Sequence, residues 1–365
     1  ALADLAAEIN RSIENIGVIA LGLGLALLGR SLGSPAWVIL GFGGALLHVW
    51  NHALFKPLLF FNAGAVIHAV GTREIDRMGG LAKRLPRTAA LFAVGAVAIC
   101  GLPPLNGFAS EWLLYSGLFR TLGFDGGLDA PSAALAVAAL AMTGALAVAC
   151  FVKLFSAVYL GEPRQTGRAG AHATPATMIA PMAALAAGCA AVGLLPWLAT
   201  APLDTAARLW SSHPELPALA AAAPLRRLTA CGLALAALTA AAAFASAAMR
   251  RSVRTGPTWD CGYARPTARM QYTASSFSRS LVLLASCMLW PRDLRTSLRG
   301  LFPRPSAFKS LVPDAVLDRI VSPLFRAVGR CLPRMRVLQQ GQTHVYVLYI
   351  LLVMIVLLVW NHLGR

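Results

Sequence analysis

Long apolar runs alternate with short polar stretches along the chain, and several runs reach the ~20 residues that a membrane-spanning helix needs. The pattern predicts seven transmembrane helices, at about 13–29, 36–70, 88–119, 132–160, 176–200, 226–249 and 344–361. The run at 36–70 is longer than one perpendicular crossing, so we expect a tilt or a break near Pro57 to accommodate it. The sequence therefore predicts an all-α fold, a polytopic membrane helix bundle of about seven transmembrane helices.

The third run is interrupted in its middle. Its apolar residues extend from Ala89 to Gly101, stop at the sequence LPPLNG (102–107) and resume around Glu111. Unwound backbone persists at membrane depth only where protein or water covers its polar groups. We therefore predict a discontinuous helix near residues 102–111, and a break at this depth favours a functional role.

Composition agrees with a membrane protein, and the distribution of charge gives an orientation. The chain is 57% hydrophobic and 13% charged, with a mean hydropathy of +0.65. Its net charge of +17 is concentrated in residues 250–342, which hold 15 Arg and one Lys against four Asp. With the basic loops 71–87 and 161–175, this segment is expected on the cytoplasmic side by the positive-inside rule. Nucleic-acid binding is disfavoured, because no aromatic residues interleave with the basic ones.

Ionisable residues lie inside the second and third runs, where charge is costly and usually functional. His48, His52 and Lys56 are four residues apart and so share one helical face. Glu111 follows the break. Only four of the 32 basic residues are lysines, and a buried lysine can lose its proton whereas arginine effectively cannot. We predict that these four residues form part of a proton path.

Each of these residues also has a structural alternative. His48 and His52 could bind a metal or form hydrogen bonds between helices. Lys56 could extend to the membrane surface, and Glu111 could cap the half-helix after the break.

Two more residues extend the predicted proton path. Lys153 lies near the cytoplasmic end of the run 132–160, where snorkelling and proton transfer are equally open. Glu14, in the sequence SIENIG, lies near a helix start and is the weakest member.

The remaining sequence predicts no cofactor and one surface helix. The seven cysteines are scattered without a C-x-x-C pair, which excludes iron–sulfur and zinc sites of ordinary spacing. Residues 308–331 have an amphipathic pattern that is too charged to span a membrane, so we expect a helix at the cytoplasmic membrane surface, limited by Pro313 and Pro323.

Three motifs carry a resemblance to a known family: HVWNHALFK (48–56), GTREIDRMGGLAKRLP (71–86) and GLPPLNGFASEWLL (101–114). They resemble the antiporter-like membrane subunits of respiratory complex I, Mrp-type cation/proton antiporters and membrane-bound hydrogenases. SIENIG and WDCGYARPTARMQYTASSFS (259–278) resemble the hydrogenase-4 and formate hydrogenlyase branch. The resemblance implies that His48, His52 and Lys56 belong to a half-channel and that Glu111 is its terminal proton-transfer group.

The resemblance also implies a domain organisation. Family members contain an inverted pair of five-helix units, and this chain corresponds to the second unit without its beginning, as expected for a fragment, a truncated product or half of a split subunit. Residues 1–160 would be that unit, 161–249 further transmembrane helices, 250–343 a basic cytoplasmic segment and 344–365 a last transmembrane helix.

The function implied is that of a proton-translocating subunit in a hydrogenase-4-like or complex I-like complex. Its partners would be other membrane subunits, a peripheral redox arm, the lipid bilayer, and protons or Na⁺, in a bacterial inner membrane. A cation/proton antiporter subunit and an inactive membrane anchor are the alternatives. A catalytic centre within this chain is disfavoured, because no nucleophile constellation or phosphate loop is present.

Overall fold

The computed structural model describes residues 4–5, 9, 14–122, 130–164, 173–211, 215–249, 262, 267–268, 270–284, 286–289, 291–295, 308–311, 317–333, 341 and 343–363. By its internal contacts the chain divides into two units, Ala1–Ser278 and Arg279–Arg365. The first carries the helix bundle, and the second carries a strand pair and further helices.

The longer helices of the first unit are α1 (Glu14–Ser31), α2 (Pro35–Val70), α3 (Pro86–Ile99), α4 (Asn106–Leu122), α5 (Ala130–Tyr159), α6 (Ala176–Leu194), α7 (Thr200–Ser211) and α8 (Leu225–Met249). Short helical turns occur at Ile75–Arg77, Leu81–Arg84, Pro196–Ala199 and Leu219–Ala222. Helix α9 (Ala274–Leu284) crosses the boundary between the units, and the turn Ser286–Leu289 follows it.

The predicted membrane bundle is confirmed. Within the described residues, five helices are long and apolar enough to cross a membrane: Pro35–Val70, Pro131–Tyr159, Ala176–Leu194, Leu225–Met249 and Thr343–Leu363. Two shorter apolar helices, Asn15–Ser31 and Pro86–Ile99, occupy the other two predicted runs. The second of these is short because the run breaks where LPPLNG was expected to break it.

Helix α2 is the centre of the bundle, since α1, α3, α4, α6 and α7 all pack against it. Pro35 lies in its first turn, where the missing N–H would have no helical partner anyway. Gly71, at a φ of 72°, ends it and donates its N–H to the carbonyl of Ile67 at 2.8 Å. The helix continues through Pro57 without interruption, so the break considered there is not found.

Two glycines bring α1 and α2 together. A Cβ added at Gly41 would lie 2.6 Å from the backbone nitrogen of Ala26, and one at Gly22 would lie 2.9 Å from the carbonyl oxygen of Gly41. Small residues are favoured at membrane helix interfaces, because close backbone approach supplies much of the attraction there. These glycines hold α1 close to the polar face of α2.

The sequence prediction of one helix over 176–200, followed by a loop, was wrong at its end. Helix α6 stops at Leu194, and the amphipathic helix α7 follows a turn that begins at Pro196. Proline disfavours helical backbone in the residue before it, and Leu195 accordingly has a φ of −125° and a ψ of 53°. Leu203 and Ala207 are buried on α7 against α2, so this helix covers one end of the bundle.

Residues 270–278 form hydrogen bonds with the loops on the predicted cytoplasmic side. Asp76 accepts the N–H of Ala274 at 2.9 Å and the hydroxyl of Ser275 at 2.5 Å, both in the first turn of α9. Gln271 accepts the N–H of Glu162 at 3.0 Å and donates to the Glu162 carbonyl at 2.9 Å. A carboxylate at a helix N-terminus meets unpaired N–H groups and the positive end of the dipole. We call the contact of Asp76 with Ala274 and Ser275 the Asp76 cap.

The second unit corrects the expected helix over 308–331. Phe308–Leu311 is a strand, paired antiparallel with Arg292–Arg295, so the helix prediction was wrong for these four residues. The pairing with Arg292–Arg295 explains the difference, because this partner strand lies outside the local pattern of 308–331. The chain is helical over Leu317–Val321 and α10 (Ser322–Cys331), and α11 (Thr343–Leu363) has no buried residue.

Candidate functional site

A buried histidine joins three helices beside the break. His48, on α2, has no exposed surface. Its Nδ1 lies 2.9 Å from Ser110 Oγ on α4, and its Nε2 lies 3.0 Å from Asn15 Oδ1 on α1. Both ring nitrogens are therefore engaged by hydrogen-bonding side chains, which leaves neither for the metal that the spacing of His48 and His52 allowed.

The contacts of Ser110 allow His48 two protonation states. The serine hydroxyl lies 2.9 Å from the Gly107 carbonyl and also accepts from Asn51 Nδ2 at 3.0 Å. When His48 is neutral, with its proton on Nε2, the hydroxyl can donate to Nδ1. When both nitrogens carry protons, Nδ1–H donates to the hydroxyl, which then turns its own proton to Gly107. Rotation of one hydroxyl thus accommodates either state.

Asparagine side chains lie around His48 and Ser110, and some of their polar atoms form no hydrogen bond within the described residues. Asn51 Nδ2 donates to the carbonyl of Asn106 at 2.7 Å as well as to Ser110. Asn15 Nδ2 and Asn51 Oδ1 are buried and have no hydrogen-bond partner within the described part of the chain. Buried amide atoms are nearly always hydrogen-bonded, and ordered water commonly completes their bonding. The surroundings of His48 are thus suited to hold water.

At the helix break, the Glu111 side chain lies against the backbone of Gly101. Gly101, at a φ of 62°, ends the half-helix α3, and a Cβ placed there would lie 2.5 Å from Glu111 Oε2. The carboxyl group of Glu111 therefore occupies the space that glycine leaves open. Glu111 is only 9% exposed and follows Ser110 directly on α4. The structure places it in the second half-helix, as predicted.

Lys56 and His52 continue along α2. Lys56 is 9% exposed, and its Nζ donates to the carbonyl of Ile9 at 2.8 Å. His52 is half-buried, with its ring edge-on to Phe55 at 5.5 Å between centroids. Phe55 also lies edge-on to His48 at 6.2 Å, so one aromatic ring contacts both histidines.

The structure says less about the two remaining candidates, Lys153 and Glu14. Lys153 is half-buried on α5, and this helix packs against both half-helices, α3 and α4. Lys153 is not one of the hydrogen-bond partners of His48 named above. Glu14 is the first residue of α1, and its side chain lies outside the described part of the chain.

A second buried polar cluster on α2 has a different character. Asn62 donates to the carbonyl of Thr88 at 2.7 Å and accepts the hydroxyl proton of Tyr159. All three residues are almost wholly buried, and both amide groups of Asn62 are paired. A fully paired amide that joins α2, α3 and α5 stabilises one packing arrangement and has no proton to exchange.

Sequence reasoning missed the residues that bind His48. Asn15 lies in SIENIG, one residue after the glutamate that was considered, and Ser110 directly precedes Glu111. A weak signal was available: Asn51 lies three residues after His48, which places both on one face of the helix. Asparagine and serine were passed over because they do not change charge.

Most residues of this site lie in a segment that matches a known family of membrane proteins. Residues 23–123 match the family described as NADH:quinone oxidoreductase/Mrp antiporter, TM. The matched residues include α2, the break and all of α4, and hence His48, His52, Lys56 and Glu111.

Similarity to individual proteins extends over more of the chain. It is 34% identical over 362 residues to hydrogenase-4 component B of Escherichia coli K12, which covers 95% of this chain and 54% of that protein. It is 40% identical over 222 residues to formate hydrogenlyase subunit 3 of the same organism, which covers 59% of this chain and 36% of that protein. The chain thus spans about half or less of the length of these relatives.

A solved structure has the same fold. A chain of the membrane-bound sulfane sulfur reductase, an archaeal respiratory membrane complex, aligns with a TM-score of 0.55 at 18% identity. The alignment covers 94% of this chain and 55% of that one. At this identity the likeness concerns the fold.

Proposed function

We propose that this chain is a proton-translocating membrane subunit of a hydrogenase-4-like or complex I-like assembly. It would couple electron transfer in partner subunits to proton movement through its own buried side chains. The observation that carries this proposal is His48, wholly buried at a helix break within the membrane bundle and hydrogen-bonded by two neighbouring helices. Its partners accommodate it in either protonation state, as a proton relay requires.

The other ionisable groups extend the relay in both directions from His48. His52 and Lys56 follow it on α2 over eight residues, or ~12 Å of helix axis. Glu111 continues it on α4 beyond Ser110. Aspartate, glutamate, histidine and lysine inside membrane bundles are costly to bury and commonly mark proton pathways. Lys153 and Glu14 are proposed as further, more distant members.

The relatives support a proposal for the assembly and the location of this chain. Their names, a component of hydrogenase-4 and a subunit of formate hydrogenlyase, mark proteins that work within multi-subunit complexes. We propose that this chain contacts other membrane subunits and a peripheral redox arm in a bacterial inner membrane, and holds no redox cofactor itself. Residues 1–160 would form the ion-conducting unit, with further membrane helices over 161–249, a basic cytoplasmic segment over 250–343 and a last membrane helix over 344–365.

Replacement of Glu111 or Lys56 tests the proposal. We expect Glu111→Gln and Lys56→Met to lower coupled proton uptake at least tenfold in vesicles that hold the assembled complex, because neither replacement can exchange a proton. Assembly should be unchanged, and Glu111→Asp should retain part of the activity. The matched control is Lys83→Met, which removes a lysine that is exposed on the basic-loop side. Wild-type uptake by both Glu111→Gln and Lys56→Met would refute the proposal.

A cation/proton antiporter subunit is a second candidate, because the matched family includes Mrp antiporters. The same buried groups would then exchange protons for Na⁺ or K⁺ without electron transfer. Proton movement that requires an opposing cation gradient, and that persists without an electron donor, would favour this function over the first.

A further inference from the structure

An apolar groove lies beside the helix break. It has a volume of about 440 Å³ and is lined by the break, by α4, by the end of α6 and by the first half of α8. The break contributes Pro103 and Pro104, and α4 contributes the ring pair Phe108 and Trp112. Pro224 lines the groove just before α8, and the α8 residues are Arg227, Leu228, Cys231, Gly232 and Leu235. The spacing of these α8 residues marks one helical face, ~12 Å long.

The charge at one end of this groove is unusual for its position. Arg227 is the charged residue of the lining, and Arg226 precedes it. Both are exposed and form no hydrogen bond or ion pair within the described part of the chain. They lie at the N-terminus of α8, where the positive helix dipole disfavours cations, and on the predicted outer face, where the positive-inside rule disfavours them as well. Two such cations are complementary to an anion.

We propose that this groove binds one acyl chain of an anionic phospholipid, with the lipid phosphate at Arg227. Arginine forms charge-assisted, often bidentate hydrogen bonds with phosphate. Beyond Arg227 the lining is apolar, which suits an acyl chain better than a free, water-soluble anion. The volume lies in the ~300–1,000 Å³ range of small-molecule sites. Only 6% of the most apolar 18-residue segment of α8 is buried, so most of this helix is exposed beside the groove.

A lipid held here would support the break. Gly193 of α6 already contacts it closely, since a Cβ at that position would lie 2.4 Å from the carbonyl oxygen of Pro104. An acyl chain would fill the space between Pro103, Pro104 and α8 on the other side. The two half-helices would then be held between protein and lipid, with Glu111 next to the Trp112 wall of the groove.

Two substitutions block the site in different ways. Arg227→Ala removes the phosphate contact, and Arg208→Ala is its control, since Arg208 is exposed on α7 and does not line the groove. Gly232→Leu fills the groove, because a Cβ there meets only ordinary contacts, with Pro104 Cβ at 3.6 Å and Leu194 Cδ2 at 3.7 Å. Ala234→Leu places the same side chain on the opposite, exposed face of α8.

The first measurement is native mass spectrometry of the full chain, titrated with phosphatidylglycerol or phosphatidylcholine. We expect the wild type and both controls to retain phosphatidylglycerol preferentially. Arg227→Ala and Gly232→Leu should each weaken this binding about tenfold. Equal retention by all five proteins would overturn the proposal, and so would equal retention of the two lipids by the wild type.

The second measurement locates the lipid in membranes that contain the assembled complex. A phosphatidylglycerol with a photoreactive group on its acyl chain should label residues 224–235, and Gly232→Leu should abolish that labelling. Labelling that appears only elsewhere on the chain would overturn the proposal, because it would mean that a neighbouring protein fills the groove.

Discussion

At the scale of single residues, the proposed protonation change of His48 depends on one hydroxyl group. Ser110 is within hydrogen-bond distance of His48 Nδ1, of the Gly107 carbonyl and of Asn51 Nδ2. A hydroxyl can donate one proton and accept two, so it can serve a neutral or a charged imidazole without movement of the backbone. No other side chain contacts Nδ1 within the hydrogen bonds described for this site. We therefore interpret Ser110 as the residue that lets His48 exchange a proton while buried.

Ser110→Ala tests this interpretation. We expect at least a tenfold slower coupled proton uptake, because His48 Nδ1 loses its switchable partner. Stability should fall by about 1–3 kcal/mol, since a buried polar atom is left unpaired. Ser110→Thr keeps the hydroxyl and should recover most of the rate. Nitrogen NMR of labelled His48 should report the protonated ring positions, which a purely structural role of Ser110 would leave unchanged.

Comparison of Ser110→Ala with Glu111→Gln distinguishes a failure of the hydroxyl switch from a failure of the proposed function. If Ser110→Ala moves protons at the wild-type rate while Glu111→Gln does not, the hydroxyl switch is wrong and the proton path stands. Loss of assembled protein in Ser110→Ala would be visible in the amount of complex recovered, and uptake is compared per assembled complex.

At the scale of secondary-structure elements, residues far apart in the sequence determine which helices stay together. The Asp76 cap joins a loop after α2 to the first turn of α9, 198 residues later. The cap residues belong to two of the motifs that define the family and branch resemblance, GTREID and YTASSFS. These two motifs thus contact each other at one end of the bundle, which gives a physical reason for both.

Asp76→Ala should release α9 from the loops. We expect a loss of about 1–2 kcal/mol, as for removal of other helix caps. Faster cleavage by trypsin at the arginines of 250–279 should accompany it. Asp76→Asn is the matched control, because its side-chain oxygen can still accept the N–H of Ala274. Identical unfolding midpoints and cleavage rates for the alanine variant and the wild type would contradict the structural role of the cap.

At the scale of the whole molecule, the proposed relay on α2 is shorter than the membrane is thick. His48 to Lys56 spans ~12 Å of helix axis, whereas the hydrocarbon core is ~30 Å thick. The chain also covers only 54% of hydrogenase-4 component B. Helix α11 has no buried residue, and most of its apolar side chains are exposed, as expected for a helix that meets lipid or another subunit.

We therefore expect this chain alone, purified and reconstituted in liposomes, to show no specific proton flux under an imposed pH gradient. Uptake should appear only in the assembled complex, because partner subunits would supply the remaining path. The control is the Glu111→Gln variant in the same liposomes, which measures unspecific leakage. Flux by the isolated wild type that disappears in this control would show a self-sufficient half-transporter.

The sequence by itself determined the membrane spans, the position of the break and the shared face of His48, His52 and Lys56. These features depend on local hydropathy, helix length and the properties of proline, so they can be read from neighbouring residues. The cytoplasmic orientation of the basic loops rests on the same kind of local evidence and stays a prediction.

Only the tertiary structure decided which groups meet. Asn15 and Ser110 lie 33 and 62 residues from His48, and Lys56 reaches a carbonyl 47 residues away. Such contacts depend on how helices cross and on where small residues let them approach. Strand pairing at Phe308–Leu311 was missed for the same reason, because the partner strand lies outside the local pattern. Hydropathy places helices in a membrane, but the packing of one helix on another selects the partners of a buried histidine.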